Sequence, residues 1–208
     1  NVTDFSGNNN TGSNTNTTSV AGKFNNARSF NGSNTLISAG NNSATQLLSG
    51  FTIETWVNLT TTTNNIAHYL ISKSNDSGTV PNSFTSGYNL FIGAPNNTTS
   101  SVCGRSGNIA NIPVLSMGDQ NGTALCVAPT TALSPATGAW YHIVATFDPS
   151  TITGRVYVNG TQTGINSALP TEAVAEITSQ SLTFGRASSA SGNFLTGLLD
   201  DIRIYKRA

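Results

Sequence analysis

Charge is what this sequence has least of. Of 208 residues only 9% are acidic or basic, nine acids against nine bases for a net charge of zero, where an ordinary soluble domain carries about a quarter. The bases are spread singly, so there is neither a stripe of cations to meet phosphates nor a polybasic patch for a membrane surface, and nucleic acid is excluded as a partner. No apolar run reaches the 18 residues or so that a spanning helix needs, which excludes direct membrane insertion. A signal-peptide core is also missing, and a chain beginning at Asn1 reads as a mature or excised one. No Gly-x-Ser-x-Gly occurs, and His68 and His142 sit in strand patterns without an adjacent nucleophile motif. Only two cysteines exist, Cys103 and Cys126, with no histidine near them, which makes a poor zinc site. In an oxidising compartment they would pair and contribute roughly 3 kcal/mol by closing their loop.

What the chain has in abundance is neutral polarity. Asn, Thr and Ser make up about two-fifths of it, and with 37% hydrophobic residues there is still enough to fill a core. This composition yields many Asn-x-Ser/Thr sequons, of which Asn9, Asn16, Asn41, Asn75, Asn96, Asn97 and Asn121 are glycosylation candidates. Together with the cysteine pair they favour an extracellular or cell-surface protein.

The ordering pattern is alternation. The stretch from Trp140 to Gly160 reads as a hairpin: aromatic and β-branched residues to Phe147, turn chemistry from Asp148 to Gly154, a second strand from Arg155 to Val158, then an Asn-Gly turn. Because Trp140, Ile143, Ala145 and Phe147 cannot share one face with His142 and Val144, the first strand reads as covered on both sides and the hairpin as scaffold, which sends the search for a site to the termini and the loops. FTIETWVNL (Phe51 to Leu59) alternates with Phe51, Ile53, Thr55 and Val57 on one face and Glu54, Trp56 and Asn58 on the other. HYLISKS, GYNLFIG, Asn108 to Met117, Thr123 to Val127 and LTFGRA add further strands, with a short helix or 3₁₀ turn around Thr171 to Ile177. ARSFNGSNTLIS reads as strand, Asn-Gly turn and strand. In GLLDDIRIYKRA, period two places Leu198, Asp200, Ile202 and Ile204 together, which leaves Asp200 a carboxylate in an apolar row that must accept backbone hydrogen bonds or bind a cation. Residues 1–22 look like a low-complexity tail, either extended or exchanging a strand with a neighbour, apart from the tight turn that Asp-Phe-Ser-Gly begins at Asp4.

The succession Asp-x-Ser-Gly, ARSFNG, FTIETWV, GYNLFIG, WYHIVATFD, GRVYVNG, LTFGR and LLDDIRIYKRA resembles the laminin G-like jelly-roll domains of the concanavalin A-like lectin/glucanase superfamily. The resemblance covers nearly the whole chain and implies one all-β domain over residues 1–208: a two-sheet antiparallel sandwich of about a dozen strands, with N- and C-terminal strands adjacent in one sheet. It also implies an extracellular module for adhesion or glycan binding. Related jelly rolls hold a structural Ca²⁺ between the N-terminal turn and the last strand, which nominates Asp4 and Asp200 as ligands, with carbonyls near Asn25 or Asn31 completing the shell. The superfamily's hydrolases carry alternating glutamate, aspartate and glutamate on one strand. No stretch here does, so the expectation is no enzyme. For a sugar, Trp56 and Tyr88 are the candidate stacking aromatics, along with loop residues Asn75 to Asn82; the alternative makes Trp56 and Trp140 core anchors. The neutral surface equally fits a non-catalytic module for adhesion or structural assembly, with surface proteins or copies of itself as partners in a surface layer or filament.

Overall fold

The computed structural model describes residues 1–60, 66–75, 86–94, 111–119, 124–129, 132–133, 138–166, 174, 179–189 and 192–208. In chain order the strands are β1 (Ser13–Thr15), β2 (Thr18–Ala21), β3 (Asn26–Asn31), β4 (Leu36–Ser38), β5 (Phe51–Leu59), β6 (His68–Ser74) and β7 (Gly87–Ile92). They continue with β8 (Pro113–Gly118), β9 (Ala124–Val127), β10 (Trp140–Asp148), β11 (Thr153–Val158), β12 (Thr161–Asn166), β13 (Thr183–Phe184) and β14 (Thr196–Tyr205). Two antiparallel sheets of seven strands form a jelly-roll sandwich. The first runs β1-β4-β13-β6-β7-β8-β9 and the second β12-β11-β10-β5-β14-β3-β2.

The alternating strands build the second sheet as their pattern requires. On β5, Phe51, Ile53 and Val57 enter the core between the sheets while Glu54 and Trp56 stay half-buried on the outer face. β10 lies beside it in register, Ile143 opposite Thr55 and Phe147 opposite Phe51. Its Ile143, Ala145 and Phe147 are buried, whereas Trp140, His142, Val144 and Thr146 alternate outward and are half-exposed. Coverage of β10 on both sides is therefore wrong: the strand has one core face, and its aromatic start belongs to the outer one. The predicted β10–β11 hairpin forms. The turn to β12 has positive φ at both Asn159 (50°) and Gly160 (80°), the backbone sign a two-residue I′ hairpin turn demands.

The central strands of the first sheet are buried on both faces. One face gives Leu90, Leu115, Met117 and Tyr88 to the core between the sheets. The other carries a second cluster of Tyr69, Phe91, Val114, Cys126 and Ala187, followed by a buried polar row in which Asn89 Oδ1 accepts from the hydroxyls of Ser72 (2.7 Å) and Ser74 (2.8 Å). Each large side chain in these clusters contributes about 1.5–3 kcal/mol by leaving water.

Three local expectations change. β3 and β4 are strands, but they lie in opposite sheets. Asn31 Oδ1 accepts the N–H groups of Ser33 (3.0 Å) and Asn34 (3.1 Å) and shapes the crossing, so no hairpin closes there. The N-terminal 22 residues are structured: Val2 bridges Gly12, β1 pairs with β4 and β2 with β3 of the same chain. β14 does not keep period two, because Asp201 adopts φ 48° and the register against β5 slips by one residue between Asp200 and Arg203. That bulge puts Asp200 opposite Trp56 and Arg203 opposite Glu54, while Leu199, Ile202 and Ile204 face the core. Asp200 is thus not in an apolar row. The turn expected around Thr171 to Ile177 lies outside the described residues except Val174, which bridges Asp119. β14 pairs with β3 and β5, joining early and late strands in one sheet.

Candidate functional site

The outer face of the second sheet brings together several aromatic residues that the core does not use. Lys23, Trp56, Trp140, His142 and Asn159 line an open depression of about 440 Å³. β5 and β10 bring Trp56 and His142 directly opposite each other, and their rings stack with centroids 4.9 Å apart and planes 22° from parallel. Lys23 Nζ stands over the Trp56 ring, 4.6 Å from its centroid, and Phe24 meets that ring edge-on at 5.8 Å. Phe24 remains 51% exposed.

Lys23 and Phe24 reach this place through a tight turn. Gly22 N–H donates to Asn25 O (2.9 Å), and Asn25 takes φ 55°. Asp200, 8% exposed, accepts the Phe24 N–H on Oδ2 (2.8 Å) and the Asp201 N–H on Oδ1 (2.8 Å). A Cβ on Gly22 would stand 2.5 Å from Asp200 Oδ2, so only glycine lets the turn approach the carboxylate this closely. Asp200 is the clamp that holds the Lys23–Phe24 turn over Trp56.

Along the same face Glu54, Arg203 and Asp201 form a linked set. Glu54 Oε1 lies 3.5 Å from Arg203 Nη1 and accepts from the Tyr205 hydroxyl at 3.3 Å, and Glu54 Oε2 lies 3.6 Å from His142 Nε2. Arg203 in turn reaches Asp201 at 3.0 Å. Its hydrogen bond with Tyr205, and then the Asp201 charge, raise the guanidinium above its ordinary range. Asn159 Oδ1 accepts the His142 backbone N–H at 2.9 Å, which fixes the amide orientation.

The residues nominated from sequence fare unevenly. Trp56 is at the site. Tyr88 is not: it is 1% exposed, with its hydroxyl donating to Thr45 O at 2.7 Å in the core, and burial pushes that hydroxyl's pKa up, so it can stack on no sugar. Trp56 and Trp140 are not core anchors either. Asp4 and Asp200 are not brought together. Asp4 accepts from Ser6 N–H (2.8 Å), the Ser6 hydroxyl (2.9 Å) and Asn10 N–H (2.8 Å), all within its own turn, and the Ser6 bond, first among them, holds its pKa below the usual range. Asn25 does sit at the Asp200 clamp, with its carbonyl taken by Gly22. Among the described residues no group of three or more His, Cys, Asp or Glu forms a metal cluster. Asp148 is a turn residue, capped by Ser150 and Thr151.

Of the sequons, Asn9 and Asn16 are exposed at turns with φ 58° and 57°. Asn41 Oδ1 accepts from Lys73 Nζ, and Asn75 Oδ1 from Ser86 N–H at 3.1 Å. Cys126 lies buried on β9, and no described cysteine is free. Cys103, Asn96, Asn97, Asn121 and most of the Asn75 to Asn82 loop lie outside the described residues. Lys23, Phe24, Trp140, His142 and Asn159 were missed as site residues, and the signal that could have found them was the outward phase of β10, with Trp140 and His142 alternating against Ile143 and Ala145.

Comparison with known families then fixes the lineage. A family model described as the concanavalin A-like lectin/glucanases superfamily matches residues 30–208. The chain belongs to this superfamily. A comparison with curated sequences finds no match. Among solved structures this superfamily member is similar to the binding domain of botulinum neurotoxin DC in complex with SialylT (TM-score 0.67, 14% identity), covering 98% of this chain and 45% of that one. It is also similar to domain 4 of AbnA, an extracellular arabinanase from Geobacillus stearothermophilus, in complex with arabinotriose (TM-score 0.60, 18% identity, 92% of this chain and 75% of that one). A third is a putative carbohydrate binding protein from Bacteroides ovatus (TM-score 0.54, 16% identity, 95% and 43%). At these identities the likeness concerns the fold, and the chain spans less than half the length of the first and third. Among the described residues no helix is long and apolar enough to cross a membrane.

Proposed function

We propose that this chain is a non-catalytic carbohydrate-binding module acting outside the cell, with the Trp56–Trp140 depression as its site. The observation that carries the reading is a pair of tryptophans and a half-exposed Phe24 left on the outer face of a sheet whose core is already complete. Sugars offer apolar C–H faces to such aromatic rings, while hydroxyls need neighbouring donors and acceptors. Since His142 and Lys23 both lie over the Trp56 ring, Trp140 is the principal stacking surface and Phe24 the second arm. The non-catalytic part of the reading is supported by Glu54, whose oxygens meet Arg203, Tyr205 and His142, and by a lining that among the described residues holds no carboxylate pair of the kind glycoside hydrolysis uses. Three of the structural neighbours are described as carbohydrate-binding or carry a sugar ligand in their titles, which supports the same reading. In this account Cys103 and Cys126 form a disulfide in the oxidising compartment where the module works. A glycan array probed with the oxidised protein is the test: reproducible binding to one glycan class supports it, and a blank array at high micromolar protein removes it.

Adhesion or assembly with copies of itself is the second reading. It is favoured by β2, an uncharged edge strand with one neighbour and exposed side chains, which is open to strand addition. Mass photometry showing monomers across a concentration series would remove it.

A further inference from the structure

We propose that the depression takes a sugar bearing a carboxylate, and that Lys23 is the residue that selects it. This rests on the reading of the depression as a glycan site and adds the chemical class of its ligand. The charged and polar groups of this face make up the inventory a ligand must match. Lys23 is exposed at the tip of the Gly22–Asn25 turn; its ammonium stands over Trp56, and among the described residues it has neither a hydrogen bond nor an ion pair. The other charged groups that surround Trp56 on this face have partners of their own. Glu54 meets Arg203, Tyr205 and His142; Arg203 meets Asp201; Asp200 accepts two backbone N–H groups. Asn159 Oδ1 accepts the His142 backbone N–H, and its amide is the neutral polar group of the lining. The two tryptophans that line the depression bring indole N–H groups, which only donate.

Among the described residues the lining thus carries one charge without an ion-pair partner, the Lys23 ammonium, and no carboxylate. A carboxylate only accepts, and it also neutralises the ammonium, so it matches the inventory better than a neutral hydroxyl does. The Asp200 bond to the Phe24 N–H fixes the turn that carries Lys23, and its ammonium stands over the Trp56 ring. The ligand then meets a lysine carried on an ordered turn, which lowers the ordering cost of binding.

The test uses titration calorimetry of the intact chain with methyl β-D-glucuronide, methyl α-N-acetylneuraminoside and methyl β-D-glucoside. One or both acidic sugars are expected to bind about fivefold more tightly than the glucoside, the upper end for an exposed ion pair, and the two acidic probes separate a uronate from a sialate. The preference should fade in about 1 M salt as screening shortens. Lys23→Met, which keeps the stem over Trp56, should bring the acidic sugars down to the level of the glucoside, and Lys23→Arg should restore the difference. Equal affinity for glucoside and acidic sugars, or a preference that survives Lys23→Met, overturns the assignment while leaving glycan binding standing. If none of the three binds and the glycan array is blank, the reading of the site itself fails.

Discussion

His68 makes the sandwich sensitive to acid in a way that can be worked out in advance. It begins β6 opposite Ile92, is 1% exposed, and among the described residues neither ring nitrogen has a hydrogen-bond partner. Burial disfavours the charged imidazole and lowers its pKa from 6.5 to about 4. The sign follows: in the unfolded chain His68 takes up a proton below pH 6.5, whereas in the folded protein it stays neutral until about pH 4. Stability attached to this residue is full above pH 6.5 and is lost as pH falls toward 4. The interval from 6.5 to about 4, at about 1.4 kcal/mol per pH unit, gives a loss of about 3 kcal/mol. His68→Leu removes the titration and also removes the unpaired ring nitrogens, so at neutral pH the variant should be as stable as the wild type or more so. Urea unfolding followed by circular dichroism across the acid range, for wild type and His68→Leu, isolates the effect, because the carboxylates are common to both. The wild type should lose about 3 kcal/mol more than the variant on going from neutral pH to about pH 4. Parallel curves would refute the reasoning, and His68→Gln, which also cannot titrate, guards against a packing effect of leucine.

Other consequences are more local. Asp200→Ala leaves the N–H groups of Phe24 and Asp201 without their acceptor, and at about 1.5–3 kcal/mol for a hydrogen bond to a charged group it should visibly lower the melting temperature. It should also change Trp56 emission as the Lys23–Phe24 turn comes loose. Gly22→Ala drives a methyl group to within 2.5 Å of Asp200 Oδ2 and 2.7 Å of Ala27 N, and should destabilise by about 1–3 kcal/mol with the same spectral change. Since the Asp4 and Asp200 oxygens already accept N–H donors in separate places, EDTA should leave the melting temperature unchanged. A drop on chelation, reversed by calcium, would show that this pair binds metal after all.

Much of the scaffold was legible because period two is a strong signal where one face is buried. Phe51, Ile53 and Val57 declared the inner face of β5, and the Asn159–Gly160 turn closed its hairpin as its residue types require. The site was less legible. The β14 bulge at Asp201 shifts the phase by one residue, and nothing in Leu-Leu-Asp-Asp-Ile announces a positive φ, so Asp200 was placed in the wrong row. Tyr88 was misplaced for a related reason: GYNLFIG belongs to a strand covered on both faces, where alternation carries no information about exposure. Trp140 and His142 were read as scaffold because the whole of β10 was taken to be covered. Lys23 and Phe24 hid beside a low-complexity stretch whose strands, lying at sheet edges, need few apolar residues to be held.

The central claim is that the Trp56–Trp140 face binds a glycan through Trp140, and titration calorimetry of wild type and Trp140→Ala with the strongest glycan from the array tests it most directly. Trp140 lies on the outer face, away from the core cluster, so the variant should fold. If Trp140 is the stacking surface, the variant should lose about 2 kcal/mol, roughly thirtyfold in affinity, as removal of a central aromatic anchor does. Unchanged affinity in a folded Trp140→Ala protein would contradict the account and place recognition elsewhere on the sandwich.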